Sequence, residues 1–263
     1  MKGRVLIIAG SDPSGGAGVQ ADIKTVTALG GYAAAAITAI TVQDTIGVKA
    51  IHPVSPSLIR EQIEAALDDI GADVIKIGMI GEVMAAREIA AVLRTAPQIP
   101  VVLDPVLAAT SGDALAGEGV ADAILNDLAP LIALMTPNAD EAAALTGLTI
   151  GVTEDLESAG RALLSKGVKA VLMKGGHMTG DDMIDILVAG DDMRRFSHPR
   201  IDTISTHGTG CTLASAVATG LAQEMTLEEA VGRAIEYVQA AIRSGPGFGR
   251  GAGPLNHGAV IRR

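Results

Sequence analysis

The chain has 263 residues, enough to bury a sizeable core, and a formal net charge of −10 from 20 Lys and Arg against 30 Asp and Glu. Nucleic-acid partners favour a basic stripe or a set of aromatic platforms, and with no Trp, two Tyr and two Phe this acidic sequence offers neither. The single cysteine excludes an intramolecular disulfide, no Cys/His spacing matches a zinc site, and a reducing cytoplasmic setting is expected.

In chain order, "RVLIIAG" reads as a buried strand. Its apolar run is shorter than the roughly 7 residues of a signal core or the roughly 18 of a membrane span, so neither is expected. The glycine-rich loop "AGSDPSGGAG" leads into the helical pattern "AGVQADIKTVTALG". Backbone amides in such a loop can approach an anion, but the loop matches neither the Walker A motif nor a dinucleotide fingerprint, and an ordinary strand-to-helix turn explains it as well. "SPSLIREQIEAALDDIGA" reads as a helix capped by Ser55 or Ser57 with a solvated acidic face. Then come the strand "DVIKIGM", the helix "EVMAAREIAAVLR", the strands "PVVLDPV" and "LIALMTPN", the helices "EAAALTG" and "ESAGRALLSKG", and the strand "KAVLMKGG". "MIDILVAGDDMRRFSHPRI" has two runs around a Gly-Asp-Asp turn, a hairpin on a sheet edge, and "HGTGCTLASAVATGLAQ" opens a long small-residue helix. Apolar strands alternating with amphipathic helices predict an α/β domain with a mostly parallel sheet covered on both faces and ligands at the strand carboxyl ends. No linker or repeat divides the chain, so residues 1–263 are expected to form one domain.

Four features predicted at strand or helix ends carry chemistry. Gly208, Thr209 and Gly210 form a turn whose amides suit a phosphoryl group or an oxyanion. Cys211 follows in the first helical turn, where the helix dipole is expected to lower its thiol pKa; nucleophile, redox handle and core filler remain open. Asn138 and Glu141 stand three apart at a helix start, as a capping box or as a magnesium site with Asp104 at the end of its strand. Lys174 ends a strand before two glycines, either as a mobile charge for a nucleotide phosphate or as a solvated lysine. Together they fit phosphoryl transfer. His207 reads as a supporting or surface histidine.

The stretches "AGSDPSGGAGVQADIKT", "KIGM", "LDPVLAATSGDAL", "TPNADEAAAL", "VLMKGGH" and "THGTGCTLASA" resemble the hydroxymethylpyrimidine/phosphomethylpyrimidine kinases of thiamine biosynthesis, in the ribokinase-like superfamily. The resemblance runs from about residue 4 to the tail "GRGAGPLNH". It implies a three-layer α/β/α sandwich, usually a dimer, that uses Mg2+ and ATP to phosphorylate an aminopyrimidine alcohol and then its monophosphate. By the same resemblance Gln43 reads the aminopyrimidine edge, with Asp44 standing where Asn is common, and Gly10, Asp22, Met79 and Val106 line the pyrimidine pocket. Lys174 and Thr206 address ATP phosphates, Asn138 and Glu141 organise magnesium, and Arg250 in the tail loop neutralises phosphate as a lid closes. Many ribokinase-like enzymes end the Gly-x-Gly turn with an aspartate base where this chain has Cys211; a thiol avoids a permanent charge facing an incoming monophosphate. Pyridoxal or pyridoxine phosphorylation is the neighbouring alternative, with a cysteine-dependent thiol enzyme and a silent ligand-binding module as readings from other classes.

Overall fold

A computed structural model describes residues 1–176 and 182–259. In chain order the elements are β1 (Arg4–Ser11), α1 (Gly18–Ala28), β2 (Tyr32–Gln43), β3 (Val48–Pro53), α2 (Pro56–Asp69), β4 (Val74–Ile77), α3 (Val83–Thr95), β5 (Val101–Leu103), α4 (Val120–Ala123), β6 (Leu134–Met135), α5 (Ala139–Thr146), α6 (Thr153–Leu164), β7 (Ala170–Met173), β8 (Asp182–Ala189), β9 (Asp192–Pro199), α7 (Thr209–Ala222) and α8 (Leu227–Arg243). The sheet has nine strands in the order β3-β2-β1-β4-β5-β6-β7-β8-β9. Pairing is parallel from β2 through β7 and antiparallel at both margins, where β3 and the β8–β9 hairpin sit. The expected mixed, mostly parallel sheet and its edge hairpin are both present.

Alternate strand residues enter two separate cores, which is why the strands are apolar without a break. Leu6, Ile8, Ile75 and Ile77 pack with Ile59, Ile63 and Ile89 of α2 and α3. Val5, Ile7, Val74 and Val102 face the other way, against α1, α7 and α8 through Val26, Val217 and Val231. Helices on both faces make three layers.

Elements that the sequence pattern does not pick out include β2, β3 and α8. The alanine run opening β2 (YAAAAITAITVQ) has helical propensity, but the β-branched half that follows and parallel pairing with β1 from Arg4↔Tyr32 onwards decide for strand. At α2, Ser55 is the N-cap, yet its side chain bonds no helix amide and lies 3.4 Å from the Ser57 hydroxyl. His177 of the "VLMKGGH" stretch lies outside the described residues. Among the described residues no helix is long and apolar enough to cross a membrane.

Candidate active site

A cleft of about 770 Å³ opens along the carboxyl ends of the strands, a volume typical of small-molecule sites. Strand order lays out its contents. Gln43 ends β2, Gly10 sits at the end of β1, Met79 follows β4, Val106 follows β5, Asn138 follows β6 and Lys174 follows β7, and all of them line the cleft. Gly10 is closely packed, since a Cβ there would come 2.9 Å from the Met79 sulfur.

Lys174 holds the centre. Its Nζ lies 2.9 Å from Asp104 Oδ1 and 3.6 Å from Glu141 Oε2, and its side chain is 14% exposed. Thr136 donates to the same Asp104 oxygen at 3.0 Å. The lysine is therefore paired and mostly buried rather than a solvated strand end. Burial works against its charge, but the carboxylates of Asp104 and Glu141 outweigh it and raise the ammonium pKa. Burial raises the Glu141 pKa, with Lys174 pulling the other way.

Asn138 caps α5. Its Oδ1 accepts the Glu141 amide and the Glu141 carboxylate accepts the Asn138 amide, both at 2.8 Å, so the capping box is real. Of the two readings left open for the pair, the capping box is present, and it leaves the second lone pair of Asn138 Oδ1 available. No group of three or more His, Cys, Asp or Glu among the described residues is arranged to hold a metal. The donor set of Asp104 and Glu141 fits a magnesium ion that arrives with a nucleotide and keeps most of its waters.

The N-terminus of α7 faces this charge cluster. Gly208 is its N-cap in the left-handed region, φ 82°, and a Cβ there would collide with the Gly16 carbonyl oxygen. The amides of Gly210 and Cys211 make no hydrogen bond among the described residues, as expected for a first turn. Gly210 packs beside Lys174, a Cβ there falling 3.0 Å from Nζ. Thr206 and Thr209 line the same wall.

The expected lowering of the Cys211 thiol is not what the site produces. Burial pushes it up to about 12, against the pull of the Lys76 charge, and the dipole effect is overridden. His207 does not activate it: the ring bonds Asp12 at 2.8 Å. Burial would raise Asp12, but hydrogen bonds from His207, Gln43, Ser14 and the Ala17 amide win and hold it well below the usual carboxylate range. Asp12 and His207 thus tie the N-terminal glycine loop to the Gly208 turn. Alkylation of Cys211 by iodoacetamide should be slow at pH 7–8 and accelerate steadily above pH 9; a plateau by pH 8 would show a thiolate that this environment does not make.

Two assigned residues lie elsewhere. Asp22 is fully buried under the cleft, paired with Lys76 at 2.7 Å and taking a bond from Ser215 at 2.7 Å, so it does not touch a ligand. Arg250 is exposed outside the cleft, its amide 3.1 Å from the Thr45 hydroxyl, so the tail loop is anchored two residues past Gln43. Conversely, sequence reading misses the far end of the cleft. Ile235, Val238 and Ile242 of α8 form an apolar wall there, and His198 of β9 bridges Asp185 at 3.1 Å and Gln239 at 2.9 Å. The signal was present in the amphipathic pattern of α8, which cannot say that one stripe faces a cleft.

An open three-layer α/β/α fold, with unpaired helix amides opposite a caged lysine at the strand ends, defines a ribokinase-like small-molecule kinase. A family described as Phosphomethylpyrimidine kinase matches residues 12–256, and the chain belongs to it. It is 47% identical over 256 residues to the thiamine biosynthesis bifunctional protein ThiED of Geobacter sulfurreducens, covering 97% of this chain and 52% of that one, so it spans about half of that relative. It is 44% identical to a hydroxymethylpyrimidine/phosphomethylpyrimidine kinase of Rhizobium meliloti, over 96% of each. Its fold matches the ADP complex of a Bacillus subtilis pyridoxal kinase with a TM-score of 0.91 at 32% identity, covering 98% of both chains.

Proposed function

We propose that the chain transfers the γ-phosphoryl group of ATP to the hydroxymethyl oxygen of 4-amino-5-hydroxymethyl-2-methylpyrimidine, and then a second one to the resulting monophosphate. The observation that carries this is the pair of free amides at the start of α7 beside the Lys174 ammonium, between an apolar end at α8 and a polar end at Gln43. On this reading the nucleotide base lies against Ile235, Val238 and Ile242, and the aminopyrimidine lies by Gln43, Gly10, Met79 and Val106. The Gln43 amide offers a donor and an acceptor to the aminopyrimidine edge.

Lys174 and the amides of Gly210 and Cys211 stabilise charge on the moving phosphoryl group. Asp104 and Glu141 would hold the magnesium that arrives with ATP, and the ion would supply further positive charge to the phosphate oxygens. A loose transition state asks little of a base, which suits a Cys211 thiol that stays protonated at neutral pH. An uncharged thiol also accepts either acceptor, the alcohol or the anionic monophosphate. The same raised thiol argues against a cysteine nucleophile. We further propose that residues 1–263 act as one domain and as a homodimer, in line with the family resemblance.

The testing experiment is product analysis with Mg-ATP and the pyrimidine alcohol. Diphosphate should accumulate; monophosphate alone would remove the second step. The fold likeness to a pyridoxal kinase favours pyridoxal as a second acceptor, and faster turnover of pyridoxal, with no consumption of the pyrimidine monophosphate, would replace the reading.

A further inference from the structure

Lys76 is the largest charged side chain in the core, 0% exposed, on a strand otherwise made of Val and Ile. Its only carboxylate partner among the described residues is Asp22, also 0% exposed, at 2.7 Å. Asp22 is held in turn by Ser215, one helical turn along α7 from Cys211 and on the same face. Apolar residues of similar volume usually serve stability at least as well as a buried ion pair, so stability does not account for this one.

The two poles are not equally placed. Gly78 lines the cleft, and a Cβ on it would lie 3.0 Å from Lys76 Nζ, whereas Asp22 does not reach the cleft. The ammonium is thus the pole behind the cleft floor, left unscreened where Gly78 lacks a side chain. Burial works against its charge, but the Asp22 carboxylate, with Asp104 behind it, outweighs that cost. At Cys211 the effect of Lys76 exceeds the opposite effect of Asp22.

We infer that the Lys76–Asp22 pair is an electrostatic positioning element of the acceptor end, its positive pole acting through the Gly78 gap to favour an acceptor that is itself a phosphate monoester. This rests on the kinase reading above, and extends it to how one cleft accepts a neutral and an anionic acceptor. The pair adds no net charge, so its contribution is a direction of field and not an overall attraction.

The test is the double variant Asp22→Leu/Lys76→Met in the full chain, which removes both charges together. Expected are an unchanged melting temperature and KM for ATP, a fall of about 10- to 100-fold in kcat/KM for the pyrimidine monophosphate, and a fall of under about 3-fold for the alcohol. The pH profile of Cys211 alkylation should move to higher pH. Equal losses for both acceptors, or no loss, overturn the inference. An unmoved alkylation profile overturns it independently of any kinase activity. Wild-type protein that phosphorylates the alcohol but never consumes the monophosphate removes the second transfer and this inference together, and wild-type protein that phosphorylates neither removes the kinase reading, both visible before any variant is made.

Discussion

Lys174→Ala should lower kcat/KM for ATP by about 10²- to 10³-fold, the size of effect seen when one preorganised donor is removed from a charged transition state. The lysine also neutralises Asp104 and Glu141, which are buried on either side of it. Its loss leaves two carboxylates facing each other without a cation, a defect worth about 3–5 kcal/mol. The sign of the pH dependence follows from burial. Burial already raises the Glu141 carboxyl and the Lys174 charge opposes that rise, so without the lysine its folded-state pKa climbs further above the unfolded value near about 4. The destabilisation is then complete above the folded Glu141 pKa and fades as pH falls through it. Thermal melts of variant and wild type should therefore differ most near pH 8 and converge towards pH 5. A constant gap would mean that the lysine does not carry the charge balance. Nucleotide kinetics at pH 8 on protein that is still folded separate the two effects.

Gly208→Ala should be the most damaging single-methyl change in the chain. At φ 82° an alanine costs about 1–2 kcal/mol by itself, and the added methyl has no space beside the Gly16 carbonyl. The N-terminal glycine loop and α7 cannot both stay in place, so the free amides move away from Lys174. Phosphoryl transfer should fall below about 1% of wild type, since misplacement by about 1 Å already costs about 10²-fold. Gly147→Ala is the matched control. That residue also has positive φ, 73°, but nothing lies within 4 Å of its Cβ position. Its cost should stop at about 1–2 kcal/mol with activity intact. Similar losses in the two variants would show that strain, and not the Gly16 contact, governs the turn.

The sequence made some of this legible and left the rest hidden for physical reasons. Strands such as β1 and β4 announce themselves because both faces are buried, and glycine turns announce the strand ends where ligands gather. The alanines of β2 say little alone, because pairing with β1 supplies what propensity does not. Lys174, Asp104 and Glu141 could each be nominated, but only the fold brings the lysine between the two carboxylates and so fixes it. Cys211 shows the limit most clearly. A helix N-terminus argues for a low thiol pKa, and the burial that reverses it comes from parts of the chain as distant as Gly18, Lys76 and Asp104. Asp22 belongs to the right motif, yet its helix turns it away from the cleft and towards Lys76.

The order of strands across the sheet also governs when this cleft can exist. The groups proposed to read the acceptor lie in the first half of the chain, from Gly10 to Val106, and the wall proposed for the nucleotide lies on α8, the last helix among the described residues. Between them β7 must already be paired with β6 for Lys174 to stand over Asp104. If the nucleotide lies against α8 as proposed, its binding waits on the docking of that helix, which makes nucleotide capture a report on the joining of distant parts of the chain.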